Sequence, residues 1–237
     1  MTAPRFAVYF APDPKSAWWH AGCTWLGRDA LGGPALAQPR FDGFDSSAFA
    51  RITAGARRYG WHATLKPPFR LAAGIDEAQL RARMVTLAAT LAPAPLGTLR
   101  AAMLWQFIAL VPQEASPTLT SLAARCVVEL DDLRAAPLEA DLSRHRAPTL
   151  AARPNELLDR YGYPFVLDCF RFHFSLTGVL APGDAHRVEP VLAAARVHFY
   201  RLNTSNPLLL DRLSSFVESE PGAPLRRVAD FALRGHL

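Results

Sequence analysis

Short apolar runs broken by proline alternate along this chain with stretches whose apolar residues recur at helical spacing. Arg5 to Ala11 is rich in aromatic and β-branched residues and stops at Pro12, which predicts a first strand. Ser16 to Leu26 predicts a helix with Trp18, Trp19 and Trp25 in the core. Gly27 to Gly43 reads as a loop and Ser46 to Arg57 as a short helix. Trp61 to Lys66 predicts a strand ended by Pro67-Pro68. Asp76 is placed to cap a helix reaching Leu91, with Leu80, Met84, Leu87 and Leu91 at core spacing. Met103 to Val111 predicts one strand. Ser116 with Pro117 opens a helix reaching Leu133. A helix over Pro154 to Tyr161 precedes a strand from Phe170 to Leu180. Asp184 caps a helix to Leu202, and Leu208 to Val217 and Leu225 to Leu233 predict two strands around a Pro- and Gly-bearing turn.

The order strand, loop, aspartate cap and Ala/Leu-rich helix occurs twice, with Asp76 14 residues after His62 and Asp184 11 residues after His173. Two similar β-α units suggest a duplicated α+β fold of two lobes with a shared central cleft. No linker composition divides the chain, so residues 1–237 read as a single bilobal domain.

Each predicted motif strand carries the same chemistry, His62-Ala63-Thr64-Leu65 and His173-Phe174-Ser175-Leu176. In an extended strand, side chains two apart share a face. Each tetrapeptide therefore shows an imidazole and a hydroxyl on one side and apolar residues on the other. Brought together, they form a set of two acid/base groups and two donors suited to a phosphodiester, with no metal or other cofactor. Alternation adds Lys66 to the face of His62, as a phosphate contact or a solvated strand-end lysine. It adds Arg171 to the face of His173, as a phosphate contact or a structural salt-bridge partner. Tyr59 and Phe69 flank the first motif, where they either stack on a base or sugar or pack in the core.

Composition narrows this only slightly. The chain has 237 residues, half of them apolar, and a net charge of +5 carried almost wholly by arginine, since Lys15 and Lys66 are the only lysines. The charge suits an anionic substrate but is spread out, not gathered into a nucleic-acid footprint. No apolar run is long enough to cross a bilayer, so a cytoplasmic protein without membrane contact is expected. Cys23, Cys126 and Cys169 are too scattered for a disulfide framework or a zinc site and read as buried thiols. Arg144-His145-Arg146 is a short basic cluster expected in a loop, within possible reach of a substrate phosphate.

The paired H-x-[ST]-h motifs resemble those of the two-histidine phosphoesterase superfamily. The stretches Phe6 to Pro12, Trp25 to Asp29, Arg58 to Phe69, Phe170 to Gly178 and Glu220 to Pro224 are similar to one bacterial branch of it, the phosphonate metabolism proteins of unassigned activity. The resemblance implies two lobes, each an antiparallel sheet with helices on its outer face. It implies His62 and His173 as catalytic histidines, with Thr64 and Ser175 as their hydroxyl partners. The expected activity is metal-independent hydrolysis of a small cyclic phosphodiester, a ribose or nucleotide cyclic phosphate. The rival is a non-catalytic protein binding a nucleotide or RNA end in the same cleft. The expected partner is a small phosphorylated substrate or an RNA end, and the expected state a monomer.

Overall fold

The computed structural model describes residues 3–41, 44–143, 145–146 and 150–236. Its elements begin with strand β1 (Arg5–Phe10) and helices α1 (Ala17–Leu26) and α2 (Ser46–Tyr59), followed by β2 (Ala63–Phe69) and α3 (Glu77–Thr90). Strands β3 (Ala94–Pro95), β4 (Leu99–Leu104) and β5 (Phe107–Pro112) lead into helices α4 (Pro117–Val128), α5 (Glu139–Ser143) and α6 (Ala152–Tyr161). Strand β6 (Phe174–Ser175), helix α7 (Val188–Ser205) and strands β7 (Leu209–Leu210), β8 (Arg212–Glu218) and β9 (Arg226–Ala232) complete the chain. Ser16, Asp45, Asp76 and Ser116 start α1 to α4, each accepting a hydrogen bond from a backbone N–H of the first turn.

The fold is α+β with an antiparallel seven-stranded sheet in the order β4-β5-β6-β2-β1-β8-β9, and β3 pairs with β7 separately. The sequence predicts a separate sheet for each motif. Hydrogen bonding instead joins a three-stranded section, β4-β5-β6, to a four-stranded one through the β2–β6 pair Ala63↔Phe174. A motif strand left at the edge of its own section would carry unpaired backbone groups, and the junction satisfies them.

Helices α3, α4 and α7 pack on one face of this sheet. Trp61 lies there, fully buried and stacked between Phe174 (4.7 Å) and Phe199 of α7 (5.5 Å). Gly22 of α1 backs the same indole, and a Cβ at that position would fall 2.0 Å from the ring. Phe170, Phe172 and Phe174 point into this core as alternation predicts.

Several boundaries differ from expectation for local reasons. β2 runs through Pro67-Pro68 because register shifts against β1, between Val8 and Tyr9 and between Phe6 and Val8, accommodate residues that cannot donate. The expected strand Met103 to Val111 is a hairpin whose two-residue turn is Trp105-Gln106. The expected strand Phe170 to Leu180 shrinks to β6. Gly178 leaves the ladder to donate its N–H to Ile52 O of α2 (2.7 Å), and the Thr177 hydroxyl takes the Ile108 N–H (3.0 Å). Asp184 does not cap α7; it lies in a 3-10 turn, Pro182–Arg187, and pairs with Arg51 at 2.8 Å. α4 stops at Val128, short of Leu133. Cys23 and Cys126 are buried, whereas Cys169 is only partly so. Among the described residues, no helix is long and apolar enough to cross a membrane.

Candidate functional site

The antiparallel pair Ala63↔Phe174 decides where the two motifs meet. It sets His62 across from Ser175 and Thr64 across from His173, with all four side chains on the face turned away from the Trp61 core. The four are half-buried. The two segments that are 111 residues apart in sequence are thus cross-strand neighbours.

Both imidazoles are held in the same way. Nδ1 of His62 lies 2.9 Å from Gly60 O, and Nδ1 of His173 lies 2.8 Å from Arg171 O. A carbonyl only accepts, so each Nδ1 carries the hydrogen and each neutral ring leaves Nε2 bare. Nε2 of His62 is 3.2 Å from the Thr64 hydroxyl, which donates to it. Nε2 of His173 has no hydrogen-bond partner among the described residues. Gly60 presents its carbonyl from a left-handed backbone, φ 81°, and a Cβ there would press on Ala30 at 2.7 Å.

Burial pushes the His62 imidazole down to about 4; the Gly60 carbonyl opposes this and the charge of His173 adds to it. Burial also lowers His173, against the opposing Arg171 carbonyl. Both rings are therefore neutral near pH 7. An anion between them would favour protonation of a ring, and the hydroxyls of Thr64 and Ser175 would donate to its oxygens.

The remaining candidates are placed differently. The register shift between Val8 and Tyr9 puts Lys66 opposite Val8, on the face away from Thr64. Its ammonium is buried, donating to Val127 O (3.0 Å) and pairing with Asp131 (3.2 Å). Burial lowers it to about 8 against the opposing pull of Asp131. It is neither a cleft cation nor a solvated lysine. Phe69 is buried opposite Phe6, with Lys66 over its ring at 5.1 Å, so it packs in the core. Tyr59 does reach the site, 6.3 Å from the His62 ring, and its hydroxyl accepts from Arg58 (3.3 Å). Arg171 precedes β6, on the outward side of the alternation that buries Phe170 and Phe172. Its guanidinium is exposed and donates to Phe170 O (2.7 Å), while its carbonyl positions His173. Arg144 lies outside the described residues, His145 packs edge-on against Tyr163 (4.9 Å), and Arg146 pairs with Asp159.

Aromatic residues outside the sequence-based candidates contact both imidazoles. Tyr9 stacks on His62 at 3.8 Å and 21°, with Phe216 next to it at 5.0 Å. Burial holds the Tyr9 hydroxyl well above its ordinary pKa. β1 is buried along nearly its whole length, so its pattern could not reveal which residue faces an imidazole. Phe107 and Trp105 lie 5.4 and 6.5 Å from the His173 ring. Among the described residues, no group of three or more His, Cys, Asp or Glu side chains is placed to hold a metal ion.

Two curated relatives are similar to nearly all of this chain. One, from Janthinobacterium sp. (strain Marseille), is 38% identical over 220 residues, 93% of this chain and 49% of its own length. The other, from Laribacter hongkongensis (strain HLHK9), is 41% identical over 223 residues, 94% of this chain and 50% of its own length. Each is named "Ribose 1,5-bisphosphate phosphokinase PhnN". The chain spans about half the length of these relatives. Their names overturn the expected hydrolysis of a cyclic phosphodiester, because a phosphokinase is a transferase and not a hydrolase. Residues 64–226, which run from the hydroxyl of the first motif through the whole of the second, match the family described as "Protein of unknown function (DUF1045)", and the chain belongs to that family.

Proposed function

We propose that this chain holds a phosphorylated ribose between His62 and His173 and serves the phosphoryl-transfer chemistry of ribose phosphates in phosphonate metabolism. What supports this is the pair of imidazoles pinned through Nδ1 on cross-strand neighbours, each leaving Nε2 unprotonated near a hydroxyl residue of the other motif. Such a set binds a phosphate group by charge-assisted hydrogen bonds once a ring takes up a proton. The relatives' names supply the sugar class and agree with a phosphonate setting. The two sheet sections either side of β2–β6 act as the lobes of one domain, with the paired motifs at their junction. The chain works as a cytoplasmic monomer.

A nucleoside triphosphate is commonly held by a Gly-rich loop ending in lysine. Neither Lys15 nor Lys66 ends a G-x-x-x-x-G-K run. The part this chain plays is therefore to hold the ribose phosphate, not to cradle a triphosphate tail. Calorimetry with ribose, ribose 5-phosphate and ribose 1,5-bisphosphate tests it. Both phosphorylated sugars bind one to one, ribose does not, and His173→Ala weakens ribose 5-phosphate by about tenfold to a hundredfold. Equal binding of ribose and ribose 5-phosphate would refute the reading.

A further inference from the structure

A recess lies around the far end of β2, and none of His62, Thr64, His173 and Ser175 lines it. Its charged lining is Lys66, Arg70, Arg134 and Asp141. Pro67, Pro68, Phe69, Val127, Pro137 and Val166 give it an apolar wall. The recess has room for about three water-sized groups.

The three cations differ in how far the fold uses their donors. Arg134 is fully engaged: Nε and Nη2 hold Asp131 at 2.8 and 3.3 Å, Nη1 donates to Ala135 O and Nη2 to Arg160 O. Lys66 gives two of its three N–H groups, to Val127 O (3.0 Å) and Asp131 (3.2 Å). Arg70 gives Nη1 to Asp141, while its Nε, buried from solvent, has no hydrogen-bond partner among the described residues. A buried donor without a partner is costly, and native structures almost always satisfy one with protein, water or an ion. The Nε side of a guanidinium is the edge that holds a carboxylate through two parallel bonds.

Charge points the same way. Lys66, lowered by burial to about 8, is still protonated at pH 7. Lys66, Arg70 and Arg134 face two carboxylates, Asp131 and Asp141. Arg5 also reaches Asp141, at 3.7 Å, but has Glu218 as its closer partner. The group is therefore one negative charge short, and a singly charged anion balances it. We infer that this recess binds a small organic monocarboxylate, its head on Arg70 and Lys66 and its short apolar body against Pro67, Pro68 and Val166. A phosphate group brings more charge and more heavy atoms than a carboxylate head, and a sugar phosphate is larger still. The ribose phosphates of the histidine cleft therefore stay out of the recess.

Propionate is the probe, with propionamide as its uncharged counterpart and inorganic phosphate as the rival anion. Each is titrated into the full chain while 1H–15N NMR follows the Arg70 Nε–H group and the backbone amide of Gly162, which lines the recess. Propionate moves both signals to saturation, and propionamide and phosphate leave them in place. Arg70→Gln, followed at Gly162, weakens propionate about tenfold or more, as expected when a hydrogen bond to a charged group is lost. Ala136 lines the recess and is exposed, so Ala136→Phe blocks it with every charge in place. That variant weakens propionate as much, and it decides the matter if Arg70→Gln does not fold. No saturable movement with propionate would overturn the site and leave a buried water as the partner of Nε. Equal movement with propionamide or with phosphate would overturn the assignment to a carboxylate.

Discussion

The two motif segments reach one arrangement from different backbones. The first is the start of a seven-residue strand, β2, paired with β1 along most of its length. The second is a two-residue strand between a 3-10 turn and a glycine that leaves the sheet. Both nevertheless pin Nδ1 on the carbonyl two residues earlier, Gly60 for His62 and Arg171 for His173. Imidazole orientation here is thus set by a local contact within each motif, and the relative position of the motifs by the single pair Ala63↔Phe174. Local fixing and long-range pairing are separable, and each can be perturbed alone.

The largest effect is expected where the segments share support. Trp61 lies under both, stacked on Phe174 and Phe199. Trp61→Ala should lower stability by about 3–5 kcal/mol, the usual range for emptying a buried aromatic site. Urea denaturation followed by circular dichroism measures this, and a loss within about 1 kcal/mol of zero would show that the motifs do not depend on this stack.

A smaller change separates the motifs. Gly60→Ala forces a Cβ 2.7 Å from Ala30 onto a backbone at φ 81° and ψ 179° that is essentially open to glycine alone, a strain of about 1–3 kcal/mol before any relaxation. It disturbs the carbonyl that orients His62 and leaves Arg171 untouched. Ribose 5-phosphate affinity should fall several-fold, the His62 Nδ1–H resonance should move and that of His173 should stay. Equal movement of both would mean that the motifs are not independently fixed.

The pattern of residues foretold some of this and not the rest. The Asp76 and Ser116 caps, the Trp-bearing helix and the inward phenylalanines around His173 follow from local chemistry and stand where the pattern places them, whereas Asp184 sits in a 3-10 turn ahead of α7. The shared face of His62 and Thr64 also survives, because no register shift falls between them. Lys66 was misplaced by one such shift, since a single extra residue moves every later side chain to the other face. Arg171 keeps the outward side of the alternation that turns Phe170, Phe172 and Phe174 inward, and its guanidinium is exposed. The hairpin tip at Trp105-Gln106 contains no glycine, proline or asparagine, so local chemistry there predicts continuous strand. The joining of two sheet sections into one depends on a pair 111 residues apart, which local patterning does not register.

The gentlest probe of the comparison is pH. Burial holds both imidazoles below their ordinary value near 6.5, His62 down to about 4. A histidine whose folded value is depressed adds stability above the unfolded value, and that stability is lost as pH falls from 6.5 towards 4. Binding runs the other way, because an anion favours the protonated ring. Sulfate affinity, with a ligand whose charge is constant over this range, should rise as pH is lowered from 8 to 5 while unfolding becomes easier. His62→Gln should flatten the rise. Affinity independent of pH would mean that neither imidazole takes up a proton when the anion binds.

The most direct measurement follows the imidazole nitrogens of His62 and His173 by long-range 1H–15N NMR while ribose 5-phosphate is added to the full chain. With the cleft empty, both rings should show Nδ1–H and bare Nε2, and on titration the Nε2 signals of both should shift together and saturate at one ligand per chain. A shift at one histidine only, at neither, or at two ligands per chain would contradict the claim that the two motifs close on a single phosphate.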